Sequence, residues 1–176
     1  MPRALKIRRA TVRDASTLIA FNRAMALETE RKDLWPRVIG AGVRRLLRRP
    51  DSGFYSVAEV GGRVIAALMV TKEWSDWRNG DFWWIQSVYV EPEHRRRGVY
   101  RRMYAYLNEL AARSRAVVGF RLYVEQHNRR AQSTYRALGM ERTHYLVFEQ
   151  LKPGVKFFTP VAGASSRRAP KVRTRR

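Results

Sequence analysis

The stretch from Ile85 to Leu107, IQSVYVEPEHRRRGVYRRMYAYL, limits the possible folds of this chain more than any other. Its opening, Ile85-Gln86-Ser87-Val88-Tyr89-Val90, is β-branched and aromatic, which is strand chemistry. Glu91-Pro92-Glu93 ends that strand, because proline has no N–H to give a ladder and presets a turn. Beyond Gly98 the apolar period becomes helical, with Val99, Met103, Leu107 and Leu110 on one face. A strand must therefore pass through a glycine-bearing turn into a helix.

The charge at that turn narrows its chemistry. Arg95, Arg96 and Arg97 precede the helix, and Arg101 and Arg102 lie in its first turn. A helix N-terminus carries partial positive charge and unpaired N–H groups, so arginines there are disfavoured unless an anion is present. Gly98 lets the backbone approach a ligand with no side chain in the way. N–H groups, helix dipole and arginines together make a phosphate or pyrophosphate site. A plain arginine-rich surface turn would have the same composition. The conflict with the dipole favours the anion site.

Arg95-Arg96-Arg97-Gly98-Val99-Tyr100 resembles the R/Q-x-x-G-x-G/A signature of the GNAT N-acetyltransferase superfamily, with Tyr100 at a position where the pattern has Gly or Ala. The order of elements follows the same family. Residues 5–11 read as a strand, and Thr11 or Asp14 caps a helix through Leu18, Phe21, Met25 and Leu27. A second helix spans Pro36 to Leu47. Phe54 to Val60 and Arg63 to Lys72 are strands joined by Gly61-Gly62, and a tryptophan-rich loop, 74–84, leads into the strand Phe82–Val90. After the Gly98–Arg113 helix come a strand over 117–125, a short helix capped by Asn128 and ended by Gly139, and a strand at Tyr145-Leu146-Val147-Phe148. The strand at 117–125 must run parallel to the Ile85 strand if the crossover is right-handed. The segment from Leu122 to Ala131, with Tyr135 and Leu138-Gly139-Met140, is similar to the family's strand, Asn-x-x-Ala, Tyr and Gly-Met/Phe segment.

The resemblance implies a mixed α/β (α+β) architecture, the GNAT acyl-CoA N-acyltransferase fold, in which a central splayed sheet is flanked by helices. It implies a GNAT domain over 5–152, followed by a basic tail, 153–176, expected to be disordered. It implies acetyl-CoA as co-substrate, with the pyrophosphate held by Arg95, Arg96, Arg97, Gly98, Val99, Tyr100 and Arg101. The backbone of Val88, Tyr89 and Val90 would pair with the pantetheine arm, and Asn128 would bond an amide of that arm. Tyr135 would act as general acid on the leaving thiolate, beside the cofactor. Read from spacing alone, Tyr135 is a core tyrosine and Asn128 a helix cap. Many members place a carboxylate base on the central strand, but this chain has Gln86 and Ser87 there. Glu28 and Glu30, at the first helix–helix junction, are the candidate bases, with solvated helix-end acids as the plain alternative.

Composition sets the remaining limits. The chain has no cysteine, which excludes disulfides, thiolate metal sites and a cysteine nucleophile. His94, His127 and His144 lack metal-site spacing, so no metal is expected. No apolar run is long enough for a membrane span and the N-terminus shows no signal sequence, so a soluble, cytoplasmic protein is expected. Of 36 basic residues six are lysines and 30 arginines; against 15 acids this gives +21. Residues 152–176 hold eight basic residues and no acid. Such a balance attracts polyanions. The expected partners are a small-molecule or protein amine acceptor, a polyanion such as nucleic acid at the tail, and a second copy in a homodimer. Two other readings stay open, a nucleic-acid-binding protein and an acetyl-CoA sensor without catalysis. Titration with acetyl-CoA followed by an amine panel separates them.

Overall fold

The first helix is fixed by its entry. In the computed structural model, which describes residues 4–161, strand β1 (Leu5–Arg9) runs to Thr11. The Thr11 hydroxyl accepts from the N–H of Arg13, and the Asp14 carboxylate accepts from the N–H of Thr11. This reciprocal cap starts a single 3-10 turn and then α1 (Ala15–Glu30). Arg31, with φ 55°, closes α1 and turns the chain into β2 (Lys32–Leu34). Helix α2 (Pro36–Leu47) begins on Pro36, whose fixed φ and missing N–H suit a first helical position.

Strands β3 (Gly53–Val60) and β4 (Arg63–Ser75) form a hairpin through Gly61 and Gly62, both at positive φ, as a tight two-residue turn requires. Strand β5 (Gly80–Val90) follows a turn of only Asp76–Arg78 and Asn79. The expected loop at 74–84 is thus mostly strand. Its aromatic residues find cross-strand partners, Trp84 opposite Thr71 and Phe82 opposite Glu73. Then come α3 (Val99–Ala112), β6 (Val117–Arg121), α4 (Arg129–Ala137) and β7 (Phe158–Pro160).

The main sheet has the order β1-β3-β4-β5-β6, antiparallel except for the parallel β5–β6 pair, with α1 and α2 on one face and α3 on the other. This is the expected mixed α/β sheet between helices. On the α3 face, Met103 and Leu107 are fully buried against Ile65, Leu68 and Ile85. Each such side chain contributes about 1.5–3 kcal/mol by leaving water. On the other face, Leu18, Phe21 and Val43 pack on Tyr55, Val57 and Tyr89.

Three further expectations need correction. The strand expected over 117–125 ends at Arg121, for a reason given below. Tyr145–Phe148 is not a strand, and its side chains lie in solvent. Conversely, Phe158–Pro160, inside the tail expected to be disordered, pairs antiparallel with β2, and Trp35 Nε1 donates to Thr159 Oγ1 at 2.9 Å. A distant partner strand decides that pairing, and local composition carries no sign of it. The tail from 162 to 176 lies outside the described residues. Among the described residues, no helix is long and apolar enough to cross a membrane.

Asp14 yields a pH-dependent test of this entry. Arg8 donates to both of its oxygens, at 2.8 and 2.9 Å, and also to Glu59 at 2.9 Å. The hydrogen bonds from Arg8 hold the Asp14 carboxyl below the usual carboxylate range, overcoming the opposite pull of burial. A depressed folded pKa adds stability above the unfolded value of about 3.9, and that stability is lost as pH falls through the folded value. Asp14→Asn should therefore lower unfolding free energy by roughly 1–3 kcal/mol at neutral pH. In urea unfolding the gap to the parent should narrow at about pH 3. A gap independent of pH would contradict the ion pair.

Candidate functional site

The site begins with an irregularity in β5. Ala67 stands opposite Tyr89, but Met69 stands opposite Gln86, so β5 carries one more residue than β4 over this stretch. Ser87 lies within it, in a left-handed conformation at φ 50°. A bulge of this kind bends the strand and increases its local twist. At its start, β5 lies tightly against β6. Asp81 N–H donates to the Ala116 carbonyl at 2.6 Å, and a Cβ on Gly80 would stand 2.4 Å from Val118 Cγ1. Glycine is required there by close approach. The parallel ladder then runs to Trp84 opposite Arg121 and stops. From Ile85 and Leu122 onward the two segments no longer pair with each other, and β5 continues to Val90 bonded to β4 alone. This splay is why the strand expected over 117–125 ends early.

Val90 borders a cavity of about 290 Å³ at the start of α3, lined also by Arg95, Arg96, Gly98, Tyr100 and Arg101. Arg130 and Thr134 of α4 close its far side. Gly98 has φ 74°, and a Cβ there would meet only the Arg101 guanidinium, at 3.8 Å. Substitution at Gly98 is thus resisted by backbone conformation, while the space beside it is open. Among the described residues, nothing accepts from the backbone N–H groups of Arg96, Arg97 and Gly98, and those of Val99, Tyr100 and Arg101 are the free first N–H groups of α3. Such a cluster of unpaired donors suits an anion. Arg97 is exposed and outside the cavity lining, and the Val99 side chain is buried in the core.

Arg95 is braced from both sides. Its Nε donates to the Val90 carbonyl at 2.8 Å, and its Nη2 donates to Glu28 Oε2 at 2.8 Å. The guanidinium lies 5.5 Å from the Tyr89 ring, and the Tyr89 hydroxyl reaches Glu28 Oε1 at 3.5 Å. Glu28 thereby ties the end of α1 to the arginine turn. Glu30 pairs with Lys32 instead.

Asn128 caps α4, its Oδ1 accepting from the N–H of Ala131 at 3.0 Å. Tyr135, on the same helix, meets Tyr100 edge to face with ring centroids 5.8 Å apart. Burial pushes both phenols above their ordinary range. The Tyr100 hydroxyl is buried and has no hydrogen-bond partner. The side chain at the signature's small-residue position thus turns inward toward α4.

The structure also gathers residues that sequence reasoning passed over. Gln86 Nε2 donates to Thr71 at 2.6 Å, and the Tyr123 hydroxyl donates to Gln86 Oε1 at 3.1 Å. The Trp84 and Tyr123 rings lie 5.6 Å apart. Burial, then the charges of Glu149 and Glu30, raise the Tyr123 phenol. Side-chain alternation along β5 was the available signal, since Trp84 and Gln86 share one face. Arg130 and Thr134 are four apart on α4, a spacing that puts them on one helix face. Near the turn, Glu91, Glu93 and His94 offer ligand atoms within 4.8 Å of one another, a grouping that histidine spacing did not suggest. Arg63 engages it, with Nη1 donating to Glu91 at 2.9 Å and Nη2 reaching Glu93 at 3.5 Å.

Comparison with known proteins decides the family. The profile of the acetyltransferase (GNAT) family matches residues 18–140. The chain belongs to this family. It is therefore an acyltransferase. Its structure is similar to that of a possible acetyltransferase from Clostridium difficile 630, with 42% identity, a TM-score of 0.79, and coverage of 84% of this chain and 97% of that one. A GCN5-related N-acetyltransferase from Ralstonia eutropha JMP134 shares the fold at 22% identity and a TM-score of 0.68, over 84% of this chain and 99% of that one. The aminoglycoside N-acetyltransferase AAC(6')-Iy in complex with CoA shares it at 15% identity and a TM-score of 0.69, over 86% and 97%. No curated protein matches the sequence.

Ser87 is a direct handle on the splay of this acetyltransferase. A β-branched residue is strained at positive φ, while glycine is at ease. Ser87→Val should lose about 1–3 kcal/mol in urea unfolding, and Ser87→Gly should be within about 1 kcal/mol of the parent. Equal effects of the two would mean that the left-handed bulge does not shape this strand.

Proposed function

We propose that this acetyltransferase moves the acetyl group of acetyl-CoA to a primary amine of a small molecule or a protein, with Tyr135 as general acid. The observation that carries this reading is the cavity at the start of α3, where unpaired N–H groups and arginines adjoin the splay of β5 and β6. The fit to the donor rests on those N–H groups, which have no acceptor among the described residues. Acetyl-CoA supplies an activated acetyl thioester, which the amine attacks with loss of the thiolate.

The residues of the chain then divide the work. Arg96, Arg101 and the N–H groups of Arg96 to Arg101 would hold the pyrophosphate, with Arg97 adding charge from the rim and Arg95 bracing the turn. The backbone of Val88, Tyr89 and Val90, where β5 has lost β6 as a partner, would pair with the pantetheine arm as a missing strand would. Asn128 would bond an amide of that arm while its Oδ1 continues to cap α4. An alkyl ammonium has a pKa of about 10.4 and must lose a proton before attack. Glu28, beside Tyr89, and Glu30, whose charge is felt at Tyr123, are the carboxylates proposed to receive it. The raised phenol of Tyr135 stays protonated through neutral pH, as a general acid must. The basic tail is where a polyanion would engage, a binding role separate from acetyl transfer.

Two measurements test this reading. Acetyl-CoA should raise the melting temperature, less so at high salt, and Gly98→Val should remove the shift. A Gly98→Val protein that binds as the parent does would refute the phosphate turn. Tyr135→Phe keeps the ring and deletes the proton donor, so its melting curve and acetyl-CoA affinity should stay close to the parent's. Its turnover on an acceptor found by amine screening should fall on the order of 10²–10⁴-fold. Unchanged turnover in the folded variant would leave solvent as the proton source.

A further inference from the structure

Helix α2 turns to solvent a face that the described chain does not neutralise. Arg37, Arg44, Arg45 and Arg48 are exposed on it, and Arg49 follows directly. The helix itself holds no acidic residue. Of the nearest acids in sequence, Asp33 is paired with Arg23 at 2.9 Å, and Asp51 reaches none of these arginines. Among the described residues, none of the five has an acidic partner. Arg44 and Arg48 are four residues apart, as are Arg45 and Arg49, while Arg45 and Arg48 are three apart. Those spacings bring helix side chains together, and like charges at them destabilise the helix. The helix dipole offsets the arginines near the C-terminus of α2 but not Arg37, which lies in its first turn.

We propose that this face of α2 binds the phosphate backbone of a nucleic acid, as a surface separate from the tail and from the arginine turn. Phosphates would supply the charge that the fold withholds. Two observations favour nucleic acid over an anionic bilayer. The apolar face of α2 is already spent, with Val43 buried and Ile39, Leu46 and Leu47 packed on the core beneath α1. A helix lying on a membrane sinks its apolar face into the lipid boundary, which α2 cannot do without leaving the sheet. Between the arginines, moreover, the exposed face is floored by Ala41 and Gly42, and a Cβ on Gly42 would meet nothing within 4 Å. A phosphodiester chain can lie close to such a floor, and each guanidinium fork matches two phosphate oxygens. From Arg37 to Arg48 the ridge is about 16 Å long, enough for several successive phosphates. It lies on the opposite side of the sheet from α3, so it does not share the phosphate cavity at the start of that helix.

The test is fluorescence anisotropy of the whole chain with a short labelled DNA duplex between about 50 and 200 mM salt. A matching RNA duplex and a single strand run beside it, because they offer the same phosphates, and binding of any of the three meets the first expectation. Combined Arg44→Gln, Arg45→Gln and Arg48→Gln should weaken binding throughout and lower the slope of log affinity against log salt by about 3. Combined Arg113→Gln, Arg115→Gln and Arg136→Gln removes as much charge from exposed arginines of other elements, and should change the slope by less than about 1. A second measurement needs no variant. Phenylglyoxal modifies exposed guanidinium groups, and bound DNA should shield Arg44, Arg45 and Arg48 while Arg113 stays reactive. Equal effects of the two triple variants overturn the proposal, since net charge alone would then explain binding. An α2 variant that keeps the parent's slope overturns it by leaving the tail as the site. So do unshielded α2 arginines, and so does binding to phosphatidylglycerol vesicles with none to nucleic acid.

Discussion

The site depends on the parting of β5 from β6. Gly80 and the Ala116 carbonyl clamp the two strands together at one end, and the extra residue at Ser87 bends β5 away at the other. A parallel pair that stayed in register to Val90 would satisfy its own backbone and leave no room for a ligand. Because it does not, β5 reaches the arginine turn with one edge unspent. The left-handed Ser87 is a local cost of about 1–3 kcal/mol, held in place by the β4–β5 ladder on either side of it.

The second constraint is electrostatic. Five arginines gather where a helix dipole already disfavours positive charge, and the fold offsets only part of this. Arg95 is paired with Glu28 and donates to the Val90 carbonyl, which couples the end of α1 to the turn. Arg96 and Arg101 have no acidic partner among the described residues, and the N–H groups beside them have no acceptor. A bound phosphate would relieve both deficits at once. Under the proposed function that is what the signature does in this chain, and Tyr100 leaves the space for it by turning inward against Tyr135.

Much of this was legible in the sequence because it is written locally. The strand-to-helix switch at Gly98, the capping box at Thr11 and Asp14, Pro36 at the start of α2 and the Gly61-Gly62 turn each lie within a few residues of what they determine. What was missed depends on distant partners. The Ser87 bulge exists only relative to the register of β4, and nothing in Gln86-Ser87-Val88 announces it. The strand Phe158–Pro160 forms because Lys32–Leu34 is there to receive it. Tyr145–Phe148 has strand composition but no strand beside it, since composition cannot say whether a partner is within reach. In the site, the Glu28–Arg95 pair and the Tyr100–Tyr135 contact are likewise tertiary, and the resemblance supplied the residues but not their partners.

On the proposed function, the unspent edge of β5 and the start of α3 form one continuous site for acetyl-CoA. Hydrogen exchange with and without acetyl-CoA tests it most directly. New protection is expected in two segments together, 88–90 and 96–101, with little change in the interior of β3. Protection at 96–101 alone would contradict the claim that β5 takes the arm, and protection in neither segment would contradict the site as a whole.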